Sequence, residues 1–406
     1  MSGRDVAALY VRWKSVFAVF HRGYWLVASL YLVIDANVSA FRLVVIGVAQ
    51  GIVALACEVP AGVVADTISR KWSLVIAHLL MGTAIVITGT VTAYPALVAT
   101  QMLWGVAWTF VSGADVAWVT DELNDDDRID RVLVAAARWE AVGSAVGLVV
   151  FGALAWAADR GTSIIAAGVA IIVVGAVVAV WFPERHFTPA GHARWQASRT
   201  ILRAGTRLAR HDREILLVFA ATFLVNGAGE VFGRLYAKRL VALGLPSNPD
   251  PIVWYTTLGL AMLLAGALAL RLVETRIDGA GVARRGYAAA CALGAVGMLV
   301  LAHAPNAATA AVGVLLVGGL SLTVLRLVGT IWVNRRTSSD VRATVHSFLA
   351  QAEYLGEIIV GFSLALLART TTVTVALTGA ALIMVATSML VLNRRTTPTE
   401  RVRSHD

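Results

Sequence analysis

The chain has 406 residues, 58% of them hydrophobic and 15% charged, and a mean hydropathy of +0.75, a balance that excludes an ordinary soluble domain and a disordered chain and places it in the membrane class. Its net charge of +9 is accounted for by basic loops facing anionic lipid and gives no reason to expect nucleic acid as a partner. Cys57 and Cys291 both sit in apolar runs and are too few for a disulfide scaffold or a metal site.

Uncharged runs at 95–114, 161–182, 251–270, 305–325 and 370–393 are each long enough to cross about 30 Å of hydrocarbon as helix. Slightly interrupted runs fill the gaps. The predicted spans lie at 16–36, 41–64, 72–93, 95–120, 132–157, 161–182, 214–236, 251–273, 286–303, 306–331, 342–367 and 370–392, twelve in all. The first reads as a span and not as a cleavable signal, because it lacks a clear small-residue cleavage site. With the N-terminus inside, only Arg42, Arg160, Arg234, Lys238, Arg239 and Arg369 of the 34 Lys and Arg fall outside. The expectation is a multi-pass protein of the cytoplasmic (inner) membrane with both termini cytoplasmic.

The longest loop, 183–213, carries seven arginines and divides the spans into six and six. It predicts an N-terminal six-helix bundle at 1–182, a cytoplasmic linker at 183–213 and a C-terminal six-helix bundle with a short tail at 214–406. Arg199, Arg203, Arg207 and Arg210 share one helical face, which suits either a helix on the inner leaflet or a solvated linker. The halves echo each other at an offset near 213: "RWEAVG" (138–143) in the fifth span matches "QAEYLG" (351–356) in the eleventh. Weak duplication of this kind accompanies parallel six-helix repeats with a central binding site.

Between the second and third spans stands "GVVADTISRK" (62–71). It resembles the signature loop of the major facilitator superfamily, G-x-x-x-D-[RK]-x-G-R-[RK], in Gly62, Asp66, Arg70 and Lys71, and departs from it at Thr67 and Ser69. "RATVHSFLAQAEYLGE" (342–357) and "GAGEVFGRL" (227–235) resemble the eleventh and seventh helices of its drug:proton antiporter branch. The resemblance implies an all-α fold of twelve transmembrane helices in two pseudo-symmetric bundles, no cofactor, and a monomer whose partners are a small-molecule substrate, protons and the bilayer. Two features depart from the antiporters: Gln101 stands where they show an Arg in the fourth helix, and "GSAVGLVVFG" (143–152) has no Pro. Gly143 and Gly147 still offer a small-xxx-small packing surface.

The hairpin has a physical reading beside the resemblance. Asp66 is suited to the positive end of a neighbouring helix, which the resemblance names as the eleventh, with Ser338, Ser339 or Asp340 as its cap. Arg70 then pairs with Asp121 or Glu122, making a conformational latch on the cytoplasmic face; a plain solvated turn is the other reading. Ionisable side chains within spans are costly and so are candidates for function. Glu353 and Glu357, one turn apart, are candidates for proton coupling, or else are hydrogen-bonded packing residues. Glu230, a further candidate for proton coupling, pairs most simply with Arg234, and Asn226 extends that polar stripe, which either faces substrate in the cavity or is purely structural pairing. Asp115 and Arg326 occupy equivalent places in the two halves, so they either gate the cavity together or pair locally, Asp115 for example with Arg138. Trp104 and Trp108 share a face that either stacks on substrate or packs. His21, Arg22 and Asp35 are expected near the ends of the first span. No nucleophile–base set, metal-ligand cluster or phosphate loop points to an enzyme. The leading expectation is a secondary transporter exporting an amphipathic small molecule in exchange for protons; an uptake permease, or a receptor on the same scaffold, stands against it.

Overall fold

The computed structural model describes residues 3–189, 213–274, 280–336 and 339–393. Twelve helices in it are long and apolar enough to cross a membrane: Asp5–Ile34, Ala40–Thr67, Arg70–Thr90, Tyr94–Leu123, Arg128–Ala157, Arg160–Trp181, Arg213–Ala242, Pro251–Val273, Val282–His303, Ala307–Arg335, Phe348–Thr370 and Val373–Asn393, spans 1 to 12 here. Helices satisfy their own backbone groups, which is why hydrocarbon selects them. Side chains close the exposed starts: Ser69 accepts from the Trp72 amide at 2.9 Å, Asp159 from Thr162 at 2.8 Å and Asn306 from Thr309 at 2.9 Å. Val146, Val149, Val150, Leu264, Leu268 and Leu382 point outward, uncovered, as a lipid-facing surface requires. Twelve crossings return the chain to the side on which it began, called the terminal face below.

Glycines set which spans touch. A side chain at Gly143 or Gly147 of span 5 would collide with the carbonyls of Ser15 and Val19 in span 1, and one at Gly356 of span 11 with the carbonyl of Phe223 in span 7. Gly143 and Gly356 are the matching glycines of the two echoed hexapeptides, so the repeat has a physical meaning: the same close crossing, 1 on 5 and 7 on 11. Spans 3 and 6, and likewise 9 and 12, pack as a second equivalent pair.

The halves meet along spans 2 and 11, 5 and 8, 2 and 7, and 1 and 7. The contacts that join them lie away from the terminal face. Lys238 donates to the Val38 carbonyl at 3.0 Å, the Arg369 guanidinium sits 5.0 Å from the Phe41 ring, and Arg160 is held by Asp35 at 2.6 Å and reaches Asp250 of the other half at 3.7 Å. Spans 4 and 10 share no extended packing surface. The molecule is closed opposite the termini and open toward them.

Three elements differ from the sequence reading. Span 1 starts about ten residues before 16, because Val6, Tyr10, Trp13 and Phe17 form a buried stripe at helical spacing, and this places His21 and Arg22 in mid-helix instead of near its end. Span 7 continues past 236 to Ala242, where Arg239 closes the end of span 9 by donating to the Ala302 carbonyl at 2.9 Å. Span 4 is broken at Gly113, whose φ of 79° lies in the left-handed region that favours glycine, and restarts as Ala114–Leu123.

Candidate functional site

Two chambers, of about 420 and 500 Å³, occupy the middle of the molecule and share Glu230, Arg326 and Glu357 in their walls. The first opens toward the terminal face between spans 7, 10 and 11 and is lined by Asn226, Tyr287, His346 and Glu353 among others. The second lies between the halves, beneath the closure opposite the termini, and is lined by His21, Arg22, Trp25, Gln50, Trp108 and Arg234 among others.

One wall of the second chamber is aromatic. Trp104 and Trp108, one turn apart on span 4, stack with centroids 5.5 Å apart and planes 8° from parallel. His21 of span 1 lies parallel to both, at 5.7 and 5.8 Å, and Trp25 donates to His21 Nε2 at 3.2 Å while presenting its edge to Trp104 at 5.2 Å. Such offset and edge-on pairs add about 0.5–1.5 kcal/mol each beyond area burial, so the wall is pre-formed. Gln101, one turn before the wall on span 4, is buried and donates to the Tyr24 hydroxyl at 2.7 Å.

The opposite wall is charged. Arg234 donates to Glu230 at 2.8 Å within span 7 and to Gln50 of span 2 at 2.8 Å, and lies 5.7 Å from the Trp25 ring. Gly47 leaves the space that the Glu230 carboxylate occupies between spans 2 and 7. Glu357 faces Glu230, Glu353 and Arg234, and Glu353 faces Arg326. The three carboxylates named from the sequence thus converge on the first chamber with Arg326 and Asn226, and Glu230 and Glu357 face the second with Arg326 and Arg234. Span 11 does contribute to its lining.

Asp115 is held elsewhere. Its carboxylate meets Lys14 of span 1 at 3.0 Å and its own Val116 amide at 2.8 Å, and Lys14 also reaches Glu140 at 3.8 Å. Neither Arg138 nor Arg326 is its partner in this state. The longer first span, which brings Lys14 to that depth, is the reason.

The hairpin forms a separate cluster at the terminal face. Arg70 contacts Asp121, lies 3.7 Å from Asp66 and donates to the Ala117 carbonyl at 2.7 Å. Ser69, where the superfamily loop carries Gly, has an extended backbone with φ of −175°, so no glycine is needed there and the hydroxyl is free to start span 3. Its Oγ donates to Glu184 at 2.6 Å, and the Lys71 amide donates to the same carboxylate at 3.0 Å. Glu122 accepts from the amides of Arg185 and His186 at 2.6 and 3.0 Å, and Trp118 donates to the Pro183 carbonyl at 2.8 Å. A side chain at Gly62 would meet nothing within 4 Å. At the start of the eleventh helix, which was expected to meet Asp66, Ser338 and the side chains of Ser339 and Asp340 lie outside the described residues, as does the arginine face at 199–210.

The sequence reading passed over Trp25, Gln50, Lys14 and Glu184, and set His21 and Arg22 near the ends of span 1 and so away from the site. The signal for His21, Arg22 and Trp25 was present: His21 and Trp25 are one turn apart in a helix whose buried stripe begins at Val6. Among the described residues, no three His, Cys, Asp or Glu side chains gather to hold a metal ion.

The sequence model of the Major Facilitator Superfamily matches residues 15–361. No curated protein matches the chain significantly. Among solved structures, the nucleoside transporter NupG superposes with a TM-score of 0.77 at 14% identity, covering 95% of this chain and 100% of its own. A peptide transporter, POT, in complex with sulfate gives 0.74 at 11% and 97% of each chain, and a POT family transporter in complex with 5-aminolevulinic acid gives 0.71 at 11%, covering 96% and 95%. At such identities the likeness speaks to the fold alone.

Proposed function

Because the chain belongs to the Major Facilitator Superfamily and is a transporter, not an enzyme, we propose that it moves an amphipathic small molecule across the cytoplasmic membrane by alternating access, exporting it in exchange for protons. The observation that carries the proposal is the convergence of Glu230, Glu353 and Glu357 on one chamber, two of which, Glu230 and Glu357, also line the adjoining chamber with its wall of stacked aromatic rings. Carboxylates crowded in a low-dielectric site exchange protons with whichever face the site opens to, and an aromatic wall takes the apolar body of a substrate. In this reading the terminal face is cytoplasmic, a monomer suffices, and 1–182 and 214–406 are the moving units, joined by 183–213. Arg70, Asp66, Lys71 and Asp121 form the latch that holds the cytoplasmic side closed when the carrier opens outward. Protonatable carboxylates at the cavity serve import as well as export, so uptake of a small solute is the second reading.

The test is transport in proteoliposomes under an imposed pH gradient. Glu353→Gln should still exchange substrate down its own gradient but lose accumulation driven by the pH difference, and Glu357→Gln should do the same if the two share a proton. Coupling retained in both variants refutes the assignment. The sign of the pH gradient that drives accumulation separates export from uptake.

A further inference from the structure

We propose that the substrate is an organic anion, and that Arg22 of span 1 and Arg326 of span 10 bind its acidic group from opposite sides of the cavity. This rests on the transport reading and names its substrate class. Both residues line the inter-half chamber and both are exposed. Among the described residues neither has an ion-pair partner within 4 Å or a side-chain hydrogen bond. Lys14 and Arg234, by contrast, are matched, the first by Asp115 and the second by Glu230 and Gln50. The cavity therefore holds two guanidiniums with no ion pair of their own, with Glu353 and Glu357 as the carboxylates of the shared lining left to face them.

An arginine at mid-membrane depth is costly, and in this open state water offsets that cost. Closing the terminal side removes the water. Arg22 and Arg326 are each other's electrostatic neighbours, one on each half, so an empty closure strands two like charges in a dry cavity. An anion placed between them supplies the missing charge, and each guanidinium fork matches the two oxygens of a carboxylate or phosphonate. Closure is then favourable with cargo and unfavourable without it. The groups facing the pair fit this role: Tyr236 and Glu140 face Arg22, and Glu353 faces Arg326. An ionised Glu353 competes with the anion for Arg326 and a proton on Glu353 releases the guanidinium, so proton and anion bind together, as the uptake reading requires and exchange does not. His21 and Trp25 flank Arg22 on span 1, with Trp108 behind them, which gives an aromatic body a surface beside the acidic group.

The experiment measures binding to the purified full chain by tryptophan quenching and thermal shift, with three probes that share one ring system: 1-naphthoate, 1-naphthylmethanol and 1-naphthylmethylammonium. The anion should bind best, about ten-fold tighter than the alcohol. Arg22→Gln and Arg326→Gln should each abolish that preference while leaving alcohol binding unchanged, and the Lys variants should recover part of it. Both positions are exposed, and a monodisperse elution profile checks that the variants fold. Tightest binding of the cation, equal binding of anion and alcohol, full naphthoate affinity in the Gln variants, or no binding of any probe overturns the anion site. If cysteine accessibility at the two faces still reports alternation in that case, the transport reading stands; absence of alternation sinks that reading instead.

Discussion

Lys14 and Asp115 offer a sharp test of how charge is held inside this protein. Their side chains meet at 3.0 Å and are 22% and 10% exposed. At an effective dielectric constant of about 20, opposite unit charges at that distance attract by about 5 kcal/mol before desolvation is counted. Removing one member of a buried pair costs about 3–5 kcal/mol, because the survivor is stranded. The two single replacements are unequal here. In Asp115→Asn, Lys14 keeps Glu140 at 3.8 Å, and the expected loss falls to about 2 kcal/mol. In Lys14→Met, Asp115 keeps only the Val116 amide at 2.8 Å, and the loss is about 3 kcal/mol. The double variant strands neither charge and should lose about 2 kcal/mol, a coupling of about 3 kcal/mol. Reversible unfolding in mixed micelles with rising SDS, followed by tryptophan fluorescence, gives all three values. If the double variant loses the sum of the singles, the pair does not exist as described.

Arg70→Ala removes the contacts with Asp121, Asp66 and the Ala117 carbonyl and should slow transport several-fold while leaving membrane insertion intact, since the cluster biases a conformational state and not the bundle core; equal losses of folded protein and transport would contradict this. Gly147→Val places a branched side chain against the Val19 carbonyl of span 1 and should prevent the 1 on 5 crossing, seen as loss of monodisperse protein, whereas Gly62→Ala, with open space around it, should purify as wild type. Hydrogen bonds from the Thr162 hydroxyl and amide hold the Asp159 carboxyl below the ordinary carboxylate range. Its folded value is depressed, so its contribution to span 6 is present above the unfolded value near 4 and lost as pH falls through the folded one. Asp159→Ala should cost about 1 kcal/mol at neutral pH and nothing in acid; a loss independent of pH would assign the effect to packing.

The spans were legible because an uncharged run of twenty or so residues has few other fates, and the repeat was legible because Gly143 and Gly356 answer the same steric demand. The Arg70 contact with Asp121 also followed from the hairpin sequence. The beginning of span 1 did not, since Asp5, Arg12 and Lys14 lower the average hydropathy of a segment whose helical stripe, Val6 to Phe17, is buried. That boundary moved His21 and Arg22 from mid-depth to the rim in the sequence reading, and hid both the share of span 1 in the aromatic wall and the partner of Asp115. Glu184 was invisible for a different reason: it acts by folding back 115 residues onto Ser69, a long-range contact that no local pattern encodes.

The clamp of Asp35, Arg160 and Asp250 on the face opposite the termini has a consequence for the medium on that side. Its members are 33%, 16% and 40% exposed, within reach of ions from that solution alone, while the pairs deeper in the cavity are shielded. Dissolved salt weakens exposed pairs over a screening length of about 8 Å at 0.15 M. A rise in ionic strength on that side therefore loosens the closure that Arg160 makes with Asp250 and raises the population opened to it, with no ligand bound and no residue changed.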